Sequence, residues 1–300
     1  MQPTLLLVCG PTAVGKTALA IELAKKYNTE IISSDSRQIY REMNIGTARP
    51  TAEEMYQVPH HLIGHVSIHQ NYTVADFEKE AHQVAHKLFQ KHNLLIMVGG
   101  SGLYCDAFCN GLDELPESQP EVKSQLMLLM QQEGISSLQK KLEELDPEYY
   151  QLIDKNNPHR LIRAIEVCLL SGKKFSELRS GAKRKNNFRI IKIGLQLERS
   201  ELYERINSRV LKMMESGLLK EAKSLEPFKH LKALKTVGYS ELFDCFENKM
   251  SLENAVQLIQ QNTRRYAKRQ LTWFRKDNEI NWINNSNSKA GIHQIDELLA

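Results

Sequence analysis

Long apolar runs are missing from this chain: no stretch approaches the roughly 18 consecutive apolar residues that a membrane-spanning helix requires, so no membrane association is expected. Cysteine is scarce. Cys9, Cys105, Cys109, Cys168 and Cys245 are odd in number and form no CxxC pair, which argues against a disulfide framework or a four-cysteine zinc site. Met1 runs into Leu5-Leu6-Leu7-Val8 with no basic leader or small-residue cleavage site. A signal peptide is therefore not expected, and the cytoplasm is the default compartment. His82 and His86 stand in HQVAH, which lacks the glutamate of an HExxH metalloprotease helix; they read as one helix face. His60, His61, His65 and His69, interrupted by Pro59 and Gly64, read as loop packing or phosphate contacts before metal ligands.

What is present reads as an ordinary globular protein of 300 residues, 41% hydrophobic and 25% charged. That length allows one large domain or two moderate ones. The net charge of +4 is modest, but its distribution is uneven. Lys155 to Arg189 holds ten Lys/Arg against Glu166 and Glu177, whereas Gly111 to Tyr150 holds nine Asp/Glu against three Lys. Such asymmetry suits steering a polyanion onto one face, although a merely solvated basic surface has the same composition.

Along the first hundred residues, short apolar runs alternate with helical periodicity. The pattern predicts strands at Leu5–Val8, Glu30–Ser34 and Leu94–Val98, and helices at Thr17–Tyr27 and Val74–Lys91. Later strands are expected at Arg189–Leu195 and Ile280–Ile283, and long helices after Glu198 and from Ser251 to Lys276. Apolar strands separated by amphipathic helices imply a parallel sheet covered on both faces. Between about Asp113 and Asn187 the pattern is purely helical, punctuated by Pro116, Pro120, Pro147 and Pro158. The predicted architecture is α/β: a P-loop NTPase-like parallel core flanked by helices (residues 1–112 and 188–300), interrupted by an all-helical subdomain (113–187).

The strongest local signal is Gly10-Pro11-Thr12-Ala13-Val14-Gly15-Lys16-Thr17, which fits GxxxxGK(S/T) between a predicted strand and a helix. Glycines let the backbone wrap a phosphate so that its N–H groups converge on the oxygens. The helix N-terminus and Lys16 add positive charge, and the Thr17 hydroxyl can ligand Mg²⁺. Such a loop usually takes ATP or GTP. NTP hydrolases, however, place an acid at the end of a further strand, and here Leu94–Val98 runs into Gly99-Gly100-Ser101-Gly102. The second strand ends in Ser33-Ser34-Asp35-Ser36-Arg37-Gln38. Ligands of doubly wound sheets lie beyond the strands' carboxyl ends, so Asp35 and Ser101 should both face the loop. Asp35 then serves as metal ligand, as general base, or simply as a helix cap.

GPTAVGKT, SSDSRQIYREMNIGTARPT, VPHHLIG, VGGSGLY, PHRLIRAIEV, LKTVGYSEL and NTRRYAKRQLTWFRK follow in the order and spacing of bacterial tRNA dimethylallyltransferases. The chain resembles that family up to about Asp277, and DSRQIY and TRRYAKRQLTWFR are far more specific than a lone P-loop. The resemblance implies that dimethylallyl diphosphate binds with Mg²⁺ at Gly10 to Thr17. It implies that the acceptor is the adenosine immediately 3′ of the tRNA anticodon, flipped into a channel. Asp35 would be the base on the exocyclic amine, Ser101 (threonine in most of the family) its catalytic partner, and Asp35, Ser36, Arg37 and Gln38 the holders of the adenine. Lys123 and the run His159, Arg160, Leu161, Ile162 and Arg163 correspond to tRNA-contacting positions, and Lys235 to a diphosphate ligand that relatives often supply as arginine. A monomer is expected, and fold similarity alone would also imply ATP-binding.

Alkylating an adenine amine needs an electrophile that partly ionises and a base for the proton. A P-loop would stabilise the departing diphosphate, and Asp35 would take the proton. Lys155–Arg189 and Arg264, Arg265, Lys268, Arg269, Arg275 and Lys276 would hold RNA backbone. Of the interleaved Tyr266, Trp273 and Phe274, at least two are expected to pack within the protein. The competing readings are a small-molecule kinase and a non-catalytic RNA-binding protein.

Overall fold

The computed structural model describes residues 2–179, 181, 184–286 and 288–299; Lys183 of the basic stretch lies outside them. The chain forms two compact units, one of residues 1–109 with 185–300 and one of 110–184. None of the described helices is long and apolar enough to cross a membrane.

The larger unit is built on strands β1 (Thr4–Cys9), β2 (Ile31–Ser33), β3 (His60–His61), β4 (Leu94–Gly99), β5 (Arg189–Gln196) and β6 (Ile280–Asn284), in the order β3-β2-β4-β1-β5-β6. Every pairing is parallel. The strands read as continuous apolar runs because both faces are covered. Leu6 and Val8 of β1 pack with Leu19, Ala20 and Leu23 of helix α1 (Lys16–Lys26). Leu5, Leu7 and Cys9 point the other way, onto Phe77, Ala81 and Ala85 of α2 (Val74–Leu88) and onto Phe108. The sequence pattern carries α2 on to Lys91, but it ends at Leu88, the last residue of its apolar stripe, and the chain turns towards β4. The two-residue β3 had no sequence signal.

A third apolar core gathers Ile39, Tyr40 and Met43, which follow β2, with side chains from the later helices. Those helices include α4 (Arg199–Glu215), α5 (Leu218–Leu225), the helix Tyr239–Phe246 and the first half of α6 (Leu252–Phe274). The second half of α6 sends Ala267 and Phe274 into the two sheet cores. Cys9 registers with Gly99 on one side and Gly194 on the other, and Ser33 with Val98. The turns leaving β1, β2 and β4 therefore emerge side by side, where ligands of such sheets bind.

The smaller unit is helical. Three of its prolines start helices: Pro120, Pro147 and Pro158 stand at first helical positions, the last two behind Asp146 and Asn157, whose side chains accept from Tyr149 N–H (3.0 Å) and Arg160 N–H (3.2 Å). Leu126, Leu138 and Leu142 form its core with Leu161, Ile165 and Val167 of α3 (Pro158–Ser171).

Candidate active site

Between β1 and α1 the backbone takes shapes that side chains resist. Gly10 has φ +141°, and a β-carbon there would lie 2.6 Å from the Leu195 carbonyl of β5. Gly15 caps α1 at φ +99°, and a β-carbon there would meet the Asn285 amide, which donates to Val14 O at 2.7 Å. The loop encloses a cavity lined by Thr12, Ala13, Gly15, Lys16 and Thr17. Gly10, Pro11 and Val14 are buried behind it. Lys16 Nζ donates to the Pro11 carbonyl at 2.8 Å, which folds the ammonium over the loop. Burial pulls its pKa down to about 8; Asp35 opposes that fall and Arg209 adds to it. The start of α1 leaves backbone N–H groups without helical partners beside this ammonium. Thr17, Ser33 and Asp35 present oxygen donors on the cavity wall and no cysteine is among its lining, a set that fits Mg²⁺.

Asp35 opens the turn after β2. Its Oδ1 accepts from the Arg37 N–H (2.8 Å) and the Gln38 N–H (3.2 Å), so one oxygen does the capping work. Ser36 N–H donates to Ser101 Oγ (2.9 Å), and the Ser101 hydroxyl donates to Ser36 Oγ (3.0 Å). Arg37 reaches the Ala233 carbonyl at 3.2 Å, and the Gln38 side chain ties the Thr47 and Ala48 carbonyls at 3.2 and 3.0 Å. A second cavity lies alongside, lined by Ser36 and Arg37, by apolar Val210, Met213, Leu218 and Ile259, and by Thr263 and Tyr266. Thr12, Asp35, Thr47 and Arg209 line both cavities. Asp35 thus borders the phosphate cradle and the more apolar chamber at once.

Arg209 of α4 carries no sequence motif and was not anticipated. Its Nη2 donates to Thr12 Oγ1 at 2.6 Å, while its Nε is buried with no hydrogen-bond partner among the described residues. Burial lowers its pKa and Asp35 opposes the fall. Gln270 of α6 was also missed, hidden among the basic residues of its helix; it bonds the Thr12 N–H at 2.8 Å and the Gly100 carbonyl at 2.7 Å. Of the three aromatics on α6, Trp273 donates to Asp106 at 2.8 Å and Phe274 is 2% exposed in the core, whereas Tyr266 lines the second cavity. Burial raises the Tyr266 pKa to about 12.

Of the remaining predicted residues, Lys235 belongs to the larger unit and the others to the helical one. Lys235 is exposed and lines neither cavity, although Thr236, Val237 and Gly238 line the second. In the helical unit Lys123, His159 and Arg160 are exposed. Leu161 and Ile162 are 0% and 4% exposed, and their side chains pack in the helical core. Arg163 is half committed inside its own unit, bonding Glu166 at 2.8 Å and the Pro116 carbonyl at 2.7 Å. The histidines spread over separate tasks. His61 and His92 meet Glu30, His65 meets Glu80, His69 packs edge-on against Phe228, and His60 lines the phosphate cavity.

Fold and cavities together define a P-loop α/β protein whose phosphate cradle shares a wall with a second chamber. The family model described as IPP transferase matches residues 38–277. The tRNA dimethylallyltransferase of Christiangramia forsetii is 51% identical over 290 residues, 96% of each chain. The tRNA dimethylallyltransferase 1 of Bacteroides thetaiotaomicron is 44% identical over 94% of this chain and 92% of its own. Among solved structures, a tRNA isopentenylpyrophosphate transferase from Bacillus halodurans superposes with TM-score 0.73 at 36% identity, covering 99% of this chain and 96% of that one. A eukaryotic dimethylallyltransferase solved acting on tRNA superposes with TM-score 0.80 at 25% identity, covering 95% of this chain and 74% of that one. The chain belongs to the IPP transferase family, whose relatives here are tRNA prenyltransferases.

Proposed function

We propose that this chain transfers a dimethylallyl group from dimethylallyl diphosphate to the exocyclic amine of the adenosine immediately 3′ of a tRNA anticodon, releasing diphosphate. The observation that carries this reading is that Asp35 lines both the phosphate cavity and the adjoining chamber. A carboxylate beside a phosphate cradle is electrostatically costly unless it has work to do on a second substrate.

In this reading the diphosphate lies against the Ala13–Thr17 backbone, with Lys16 and Arg209 beside it. As the allylic carbon–oxygen bond stretches, negative charge builds on the diphosphate, and these cations and amides stabilise it most at that moment. Thr17 would hold Mg²⁺, which when bound supplies further positive charge to the leaving group. Val210, Met213, Leu218 and Ile259 give the hydrocarbon tail and the base apolar contact. Ser36, Arg37 and Gln38 hold the adenine edge, Ser101 fixes their turn, and the Asp35 carboxylate accepts the amine proton, a step worth roughly 10² to 10⁴ in rate.

Extracting the adenine from its stack costs a few kcal/mol. Basic residues offset it: Lys123, His159 and Arg160 on the helical unit, which we assign to tRNA binding, and Arg264, Arg265, Lys268 and Arg269 on α6. Any contact by Leu161 and Ile162 is through backbone. We place the enzyme, as a monomer, in the cytoplasm, where a tRNA substrate would be met.

A kinase reading is weaker because β4 ends at Gly99 and runs into Gly100, without the acid that NTP-hydrolysing sites use. One assay separates them. Labelled dimethylallyl diphosphate or labelled ATP is incubated with the protein, with and without tRNA carrying that adenosine. Label in tRNA from the prenyl donor alone is expected; phosphate passing from ATP to a small acceptor would replace this reading.

A further inference from the structure

Gln270 sits 7% exposed between two elements of the phosphate site. Its Oε1 accepts the Thr12 N–H at 2.8 Å, and its Nε2 donates to the Gly100 carbonyl at 2.7 Å. The fit is close: a β-carbon on Gly100 would lie 2.3 Å from Nε2. The Thr12 hydroxyl is engaged as well, accepting from Arg209 at 2.6 Å. Thr12 therefore withholds its amide from a ligand and keeps only its hydroxyl proton to donate, although it lines both cavities.

A P-loop binds phosphoryl groups by converging N–H donors, and each further group in the chain of phosphates needs its own set. Two phosphoryl groups can be served by the Ala13–Thr17 backbone and Lys16. A third, reaching towards Thr12, would find that amide already paired with Gln270 Oε1. An anion beside an amide that is already paired gains no hydrogen bond from it in return for lost hydration.

The geometry points to Gln270 as a positioning residue that restricts the cradle to diphosphate esters and rejects triphosphates, by consuming the Thr12 amide and tying the P-loop to the glycine turn after β4. This inference rests on the proposed diphosphate role of the cradle. The helix that carries Gln270 also lines the second cavity. Ile259, Thr263, Tyr266 and Gln270 follow one face of α6; the first three line the chamber and the fourth holds the loop.

The test is competition against the prenyl donor by inorganic pyrophosphate and by tripolyphosphate, using the full chain and tRNA. In the native protein tripolyphosphate should compete at least about tenfold more weakly than pyrophosphate, the scale of one missing charge-assisted hydrogen bond. Gln270→Ala frees the Thr12 amide and should bring the two inhibition constants together. Gln270→Glu retains the acceptor on that amide and should keep the discrimination while weakening both anions. A merely structural role would lower activity without moving the ratio, so an unchanged ratio in Gln270→Ala overturns the inference. Equal inhibition by the two anions in the native protein overturns it without any variant. Pyrophosphate that fails to compete at all removes the diphosphate reading of the cradle, and this inference with it.

Discussion

Ser101 and Ser36 bind each other twice: the Ser36 N–H donates to Ser101 Oγ at 2.9 Å, and the Ser101 hydroxyl donates back to Ser36 Oγ at 3.0 Å. The turn that carries Asp35 is thereby fastened to the residue two positions beyond β4, and in the proposed reaction Ser101 aims the base. Ser101→Ala deletes the acceptor for a part-buried amide. It should cost about 1 kcal/mol of stability and lower kcat about tenfold, since a misaimed base loses part of a 10²–10⁴ effect. Ser101→Thr keeps the hydroxyl and should retain near-native turnover. Single-turnover rates with saturating tRNA, set beside thermal melts, check both.

Arg209 places a cation against Thr12 and leaves its own Nε unsatisfied. Retaining an incompletely paired buried cation is destabilising, which argues that it is kept for charge developing on a ligand. Arg209→Met should lower kcat/KM for the donor by about 10²–10³, the cost of removing one transition-state donor. The melting temperature should not fall. A variant that loses stability and activity together would mark Arg209 as structural.

The helical unit has its own pH signature. Glu166 is 1% exposed and accepts from Ser118 (2.6 Å), the Gln119 N–H (2.8 Å) and Arg163 (2.8 Å). Burial alone would raise its pKa, but these bonds outweigh it and hold the carboxyl below its usual value. A depressed folded-state pKa means that the stabilisation is present above the unfolded-state value and lost as pH falls through the folded one. Glu166→Gln should therefore cost about 2 kcal/mol at pH 7, and the difference from native should shrink on acidification through the carboxylate range. Urea melts across that range read it directly; a cost that does not vary with pH would contradict the assignment.

Much of this arrangement can be read before any coordinates, for reasons that are physical. The P-loop announces itself because its residue types answer to backbone shape, as Gly10 and Gly15 illustrate, and the strands because burial on two faces leaves no polar alternation. What stays hidden depends on partners distant in sequence. Gln270 looks like one polar residue in a basic helix until Thr12 and Gly100 are placed against it, and Arg209 until Thr12 is. The two-residue β3 is held by pairing with β2, which no local pattern records. Leu161 and Ile162 show a resemblance carrying a span of positions while helical periodicity assigns two of them to the core. Tyr266, Trp273 and Phe274 share one helix end and divide between a cavity and the interior according to the face each occupies.

The central claim is that Asp35 takes the proton from the acceptor amine while the cradle holds the leaving group. The direct measurement is the single-turnover rate of Asp35→Asn with tRNA and donor prebound, alongside the Kd for tRNA. Asparagine keeps an oxygen for the Arg37 and Gln38 amides but cannot accept the proton. The rate should fall by about 10² or more while the tRNA Kd stays within a few-fold. A near-native rate in this variant would contradict the account.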